Sequence, residues 1–309
     1  MQLPPHLRFE IERLKSAILA ALGPKARTPD AAHRMCPSCR ALIDREASSC
    51  PFCGAATRPA RARGGDPGGR ILGVIPVPST ATSVIVAVNV GLYSLSWYLT
   101  QAAAASGHDT AASLGEVRFD VLFRLGAKVG PAVLAGQWWR LVTAIFLHGG
   151  LLHIAMNLWC LVDVGSEVES LFSTSKFIVV YLATGVAGFL LSLAWNPKGS
   201  SVGASGAILG LVGVLISASF HHGHLGKLYR GQLWRWVIYV LIFGLFFAVD
   251  NAAHIGGLAA GALLGYLVPE GEPMTRPGET FWNTLAVLSV VVIAGSFALM
   301  ALQMNQRGG

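Results

Sequence analysis

Charge is scarce in this 309-residue chain: Asp, Glu, Lys and Arg together make up 13 % of it, against 53 % hydrophobic residues and a mean hydropathy of +0.56. An ordinary soluble domain carries about a quarter charged residues, so this balance excludes one and assigns most of the chain to lipid. Acids are scarcer than bases, 16 against 23, and residues 221–235 hold Lys227, Arg230 and Arg235 without a single Asp or Glu. No apolar run of spanning length occurs in the first 80 or so residues, so no cleavable signal peptide is expected. No Glu stands beside a His as in His-Glu-x-x-His, which argues against an intramembrane metalloprotease built on His148, His153 and His254. There is no convincing inverted repeat or matched pair of broken helices, which argues against a small-solute transporter.

What is present is a series of apolar stretches near residues 82–101, 150–169, 176–195, 204–220, 233–250, 252–268 and 281–302. Each approaches the roughly 20 residues that cross a bilayer as a helix. In hydrocarbon the backbone must satisfy its own hydrogen bonds, and the runs are too long and continuous for barrel strands. An all-α membrane protein with seven spans is expected. Basic residues crowd residues 1–80 and recur in 221–235, and positive segments stay in the cytoplasm. An internal N-terminus and seven crossings put both basic clusters on that side. The pI near 9.4 then needs no nucleic acid to explain it.

Ahead of the apolar runs, Cys36-Pro-Ser-Cys39 and Cys50-Pro-Phe-Cys53 form two Cys-x-x-Cys pairs ten residues apart. This is the spacing of a four-thiolate structural zinc site, and a module this small needs the metal to fold. The competing readings are a pair of disulfides, disfavoured in the reducing compartment that the topology implies, and a redox dithiol, which needs only one such pair. Residues 6–22 read as a short amphipathic helix, and the Arg/Pro/Gly-rich stretch 57–73 as a flexible linker. Cys160, inside the second run, reads as a small buried hydrophobe.

Two polar residues open apolar runs. Ser205 lies in Gly203-Ala204-Ser205-Gly206, and His254, two spans downstream, in Ala253-His254-Ile255-Gly256-Gly257. One helix down and one up returns the chain to the same face, so the two side chains are expected at equal depth and, by the topology, at the outer end. A serine hydroxyl becomes a nucleophile when a base takes its proton, and histidine is the usual base. Gly206, Gly210 and Gly213 on one helix, and Gly257, Gly261 and Gly265 on the other, have the small-residue spacing that lets backbones approach. By themselves the glycines call only for helix packing; His254 at matching depth tips the balance toward chemistry. His153 and Asn157, four apart, share a helical face and supply two more polar groups at that end.

Together these segments resemble the rhomboid family of intramembrane serine proteases over residues 82–268, with Trp139-Arg140, His153, Asn157, Gly203-Ala204-Ser205-Gly206, Ala253-His254-Ile255-Gly256-Gly257 and Gly261 in the family's order. The resemblance implies Ser205 as nucleophile, His254 as general base, and an oxyanion hole of His153, Asn157 and the Ser205 amide. It implies structural roles for His148, Trp139, Arg140 and Glu169, the last as a hydrogen-bond anchor at the inner end of the second span. It also implies a six-helix core with one added C-terminal span. One departure is Leu209, which stands where many members carry an aromatic residue stacked on the catalytic histidine. Asp250, one turn before His254, reads as a loop residue exposed at the outer surface, outside the dyad.

The expected organisation is an amphipathic segment (1–30), a zinc-ribbon-like module (31–56) holding Zn2+ on Cys36, Cys39, Cys50 and Cys53, a linker (57–80), a rhomboid-type core (81–270), and a seventh span with tail (271–309). The expected activity is cleavage of single-pass membrane proteins near the outer face, at segments with helix-breaking residues. The alternative is a non-proteolytic relative that binds client membrane proteins. The ribbon is expected to serve as a cytoplasmic protein-interaction module, and the chain to lie in a bacterial inner membrane.

Overall fold

The computed structural model describes residues 33–35, 42–44, 47, 49–54, 70–71, 75–76, 79–105, 115–246, 249–273 and 275–308. Its contacts divide the chain into two units, residues 1–66 and 67–309. In the first, β1 (His33–Met35) pairs antiparallel with β2 (Leu42–Asp44), with Arg34 opposite Ile43. Ile43 and Cys50 are buried together, and Gly54, at φ +68°, donates its amide to the Cys50 carbonyl at 2.9 Å. The predicted helix 6–22, Cys36 and Cys39 lie outside the described residues, as does most of the predicted linker. Within that linker, β3 (Arg70–Ile71) and β4 (Ile75–Pro76) form a small antiparallel hairpin.

The second unit is built of helices. α1 (Thr80–Ala105) begins where its free N-terminal amides meet a carboxylate from elsewhere in the chain: Glu169 accepts from Ala81 N at 3.1 Å and Thr82 N at 3.0 Å. The Ser79 and Thr174 hydroxyls donate to the same carboxylate, which joins the starts of two spans. The connection after α1 folds into α2 (Phe119–Arg124), β5 (Lys128–Val129), α3 (Gly130–Leu134) and α4 (Arg140–Thr143). Arg140 is buried at its centre, with Nε donating to Gln137 Oε1 at 2.6 Å and Nη1 to the carbonyls of Phe123 and Ala127 at 2.8 and 2.9 Å. A side chain with five donors thus satisfies carbonyls that irregular backbone would otherwise leave unpaired.

The second span runs through α5 (Leu151–Cys160), a π turn (Leu161–Gly165) and α6 (Ser166–Phe172). Next come α7 (Thr174–Trp195), the short strand β6 (Ser200–Ser201) and α8 (Ser205–Ala218). α9 (Gly223–Phe246), α10 (Asn251–Leu267) and α11 (Arg276–Gly308) complete the unit. Twelve of the fourteen residues of α8 are buried, so this helix is the axis on which the others pack. Its contact with α10 is backbone on backbone. A Cβ at Gly257 would lie 1.9 Å from the Gly206 carbonyl oxygen, and one at Gly261 would lie 1.8 Å from that of Gly210. The small-residue spacing legible in the sequence is used here for close approach.

Five helices among the described residues are long and apolar enough to cross a membrane: Thr80–Ala105, Leu151–Phe172, Thr174–Trp195, Ser205–His222 and Arg276–Met304. Large apolar side chains stand exposed along them, among them Trp159, Val287, Leu288 and Val291, as expected of surfaces wetted by lipid tails. The two other stretches predicted to span are occupied by α9 and α10. α9 carries Lys227, Arg230 and Arg235, and α10 has only 17 residues. The protein is an integral membrane protein.

Candidate functional site

Ser205 is the first residue of α8, so the amides around it belong to the helix terminus and have no partner within the helix. The chain enters this position through Gly203, whose φ of +128° is strained for any residue with a side chain. Space gives a second reason for glycine: a Cβ there would sit 2.7 Å from His153 Nε2. The segment is held from the connection that follows α1. β5 pairs with β6, Lys128 opposite Ser201, and Gly203 N donates to the Ala144 carbonyl at 2.9 Å.

His254 stands on the first turn of α10, and its Nε2 lies 2.8 Å from Ser205 Oγ. The nucleophile candidate and its base are therefore in hydrogen-bond contact at the starts of two helices whose glycines allow them to touch. His254 is buried, and its Nδ1 has no hydrogen-bond partner among the described residues. Asp250 does not fill that place. The sequence reading put it on an exposed loop, whereas it is half-buried and caps α10: Oδ1 accepts from Ala253 N at 3.0 Å, and its main-chain oxygen accepts from His254 N at 3.1 Å. An Asp at the N-cap, accepting from the amide three residues on, is the ordinary capping pattern.

His153 and Asn157 lie on α5 facing the same point. His153 Nδ1 accepts from Gly149 N at 3.5 Å, a long bond that leaves Nε2 as the protonated nitrogen, the one beside Gly203. Asn157, buried, donates from Nδ2 to the His153 carbonyl at 3.0 Å, and the same nitrogen would lie 3.8 Å from a Cβ on Gly203. Two side-chain donors thus border the turn that leads into Ser205. His148 packs edge-on against His153 with ring centroids 5.2 Å apart. Burial, with His153 beside it, holds its imidazole down to about 3. Because the folded value lies below the ordinary 6.5, the neutral ring contributes stability above pH 6.5, and that contribution is lost as pH falls toward 3.

Ser205, His254, Asp250, His153 and Asn157 line one cavity of about 900 Å³, and His148 lies behind that lining. Its lining is part apolar, with Phe189, Leu209, Trp236, Val240 and Phe243, and part polar, with Ser205, His254, His153 and Asn157. Leu209 is buried and takes part only as apolar wall. Trp139 and Arg140 lie away from this lining, inside the connection that supports it. Glu169 is at the far end of the second span, where it joins α1 and α7. Gly206, Gly257 and Gly261 form the α8–α10 contact. Lys128 and Ser192 are among the polar lining residues missed from sequence. Their signal was faint: a lone base in a mostly apolar stretch, and a serine near the outer end of a span.

Residues 135–271 match the family model described as a rhomboid domain. The chain is 36 % identical to rhomboid protease GluP of Bacillus subtilis (strain 168) over 193 residues, 61 % of this chain and 36 % of that protein. It is 32 % identical over 194 residues to Rhomboid-like protease 3 of Toxoplasma gondii, covering 60 % of this chain and 73 % of the relative. RHOMBOID-like protein 7 of Arabidopsis thaliana is 30 % identical over 248 residues, 69 % of this chain and 78 % of the relative. The chain spans between about a third and about half the length of several other curated relatives, GluP included. With most of the Toxoplasma and Arabidopsis relatives matched and the rhomboid domain falling over the helices that carry Ser205 and His254, the chain belongs to the rhomboid family.

Proposed function

We propose that this protein is an intramembrane serine endopeptidase that cuts transmembrane segments of single-pass membrane proteins with a Ser205–His254 dyad. The observation that carries the reading is the 2.8 Å contact between Ser205 Oγ and His254 Nε2 in a cavity among membrane helices. His254 takes the Ser205 proton as Oγ attacks the scissile carbonyl. The tetrahedral oxygen then gains negative charge beside the His153 Nε2–H, the Asn157 amide and the Ser205 main-chain N–H, and such donors act strongly where water is scarce. His254 returns the proton to the leaving amine, and the acyl-enzyme awaits water. Water entering by the polar part of the cavity, activated by the same imidazole, completes hydrolysis. The substrate segment enters from lipid along the apolar wall.

The working topology is six core helices with α11 as a seventh span, the N-terminus in the cytoplasm and the dyad facing outward, as in a bacterial inner membrane. The test is cleavage of a tagged transmembrane substrate by purified full chain in lipid vesicles, comparing wild type with Ser205→Ala and His254→Ala. Loss in both variants supports the dyad. Equal background in all three moves the chain to the client-binding reading. Within the same assay, Asn157→Ala is expected to lower kcat about 10²-fold with little change in KM, the signature of a donor used in the transition state. An unchanged kcat would remove Asn157 from the oxyanion hole.

For the first unit we propose a structural zinc site on Cys36, Cys39, Cys50 and Cys53. In the described part, the tight turn from Cys50 to Gly54 keeps Cys50 and Cys53 within one turn of chain beside the β1–β2 hairpin, which suits two thiolates of a tetrahedral set. The metal would supply folding energy to a unit whose described core is Ile43 and Cys50. It would take no part in hydrolysis; the module would bind a cytoplasmic protein. One zinc per chain is expected by elemental analysis of the full-length protein, falling to none in Cys50→Ser/Cys53→Ser. Metal-free wild type, or metal retained in the double variant, would overturn the assignment.

A further inference from the structure

A buried cation near a membrane active site has to be accounted for, because an unpaired ammonium away from water is costly. Lys128 is 1 % exposed, yet it comes from the connection after α1 and lines the same cavity as Ser205 and His254. Its Nζ donates to Ser192 Oγ at 2.9 Å, and that hydroxyl donates onward to Asp250 Oδ2. The other carboxylate oxygen of Asp250 caps the helix that carries His254, accepting from Ala253 N at 3.0 Å. The near end of the same chain is equally anchored: Lys128 pairs with Ser201 in the β5–β6 ladder, on the segment that leads into Gly203 and Ser205. One hydrogen-bonded line therefore runs from the strand preceding the nucleophile, across the end of α7, to the cap of the base's helix.

We propose that Lys128, Ser192 and Asp250 form a positioning relay that sets the approach of His254 to Ser205. The proposal rests on the dyad reading above. Its physical need is visible at the imidazole. Nδ1 of His254 has no hydrogen-bond partner among the described residues, and Leu209 offers no aromatic face, so apart from the Nε2 contact with Ser205 itself no side-chain partner holds the ring. The position of the ring is set by the first turn of α10, and that turn is held by Asp250. Asp250 is held in turn by Ser192, and Ser192 is oriented as a donor to the carboxylate because Lys128, which can only donate, occupies its acceptor side. Burial pulls the Lys128 ammonium below its ordinary range while the Asp250 carboxylate opposes that shift, in keeping with a cation retained for the carboxylate.

Full-length protein in vesicles is assayed for steady-state cleavage and for labelling of Ser205 by a fluorophosphonate probe, with Ser205→Ala as the blank. Ser192→Ala removes one oxygen and leaves the helix intact. It is expected to lower kcat and the labelling rate about 10- to 100-fold, the size of an effect from sub-ångström to ångström misplacement of a reacting group, with KM within about twofold. Ser192→Thr, which keeps the hydroxyl, is expected to recover most of the rate. Lys128→Met is expected to resemble Ser192→Ala, and the double variant to be no worse than the poorer single, because both break one line. If Ser192→Ala matches wild type, if KM moves in place of kcat, or if Ser192→Thr is as impaired as Ser192→Ala, the relay is overturned while the dyad stands. If wild type labels no better than Ser205→Ala, the dyad itself fails and the relay falls with it.

Discussion

Ser205→Ala is expected to reduce cleavage in vesicles by at least about 10⁴-fold, His254→Ala by a similar factor, and the double variant by no more than the worse single. The size follows from the proposed chemistry: without the hydroxyl no acyl-enzyme would form, and without the imidazole the hydroxyl would keep its proton. Groups that act as one unit lose their whole effect when either is removed, so the costs do not add. Both changes create little strain. Ser205 is half-buried at a helix start, and Ala tolerates that position; His254 is buried, so its removal leaves a cavity but frees no partner except the serine hydroxyl. Folding of the variants is checked by thermal melting in the same lipid. A Ser205→Ala rate within tenfold of wild type would mean that Ser205 is not the nucleophile, whatever its distance from the imidazole.

The parts of this molecule legible in its sequence were those governed by one-dimensional rules. Long apolar runs announced the helices because lipid allows the backbone few alternatives. The Ser205–His254 contact was foreseeable because two apolar stretches separate the residues and were expected to return the chain to the same depth, and the glycines after each residue announced that their helices could touch. Asp250 was misread, although its distance from His254 was noticed, because an exposed loop acid and a helix cap have the same local spacing. What distinguishes them is the Ser192 hydroxyl that comes from another helix. Lys128 was invisible for the same reason. It lies in an irregular connection, and only the β5–β6 pairing and the end of α7 give it a partner. The hairpin of Arg70–Ile71 with Ile75–Pro76 was likewise hidden in a stretch whose Gly and Pro content read as linker.

The second large effect concerns the contact on which the proposed dyad depends. Gly261→Val is expected to destabilise the protein by several kcal/mol, at or above the roughly 1–3 kcal/mol typical of overpacking, and to abolish cleavage. A Cβ at Gly261 would lie 1.8 Å from the Gly210 carbonyl oxygen and 2.7 Å from the Gly210 Cα. Backbone atoms cannot rotate away as a side chain can, so α8 and α10 must separate by an ångström or more, and Ser205 and His254, one on each helix, separate with them. A shift of that order costs about 10²-fold in rate even where the fold survives. The matched control is Gly295→Ala on α11, where a Cβ meets nothing within 4 Å. That substitution is expected to leave activity unchanged and stability equal or slightly raised, since Ala is favoured over Gly within helices by up to about 1 kcal/mol. Melting temperature and cleavage rate measured on both variants separate the two readings of the glycines. If Gly261→Val tolerates heat and cuts as wild type does, the close approach of α8 and α10 is not what brings the serine to the histidine.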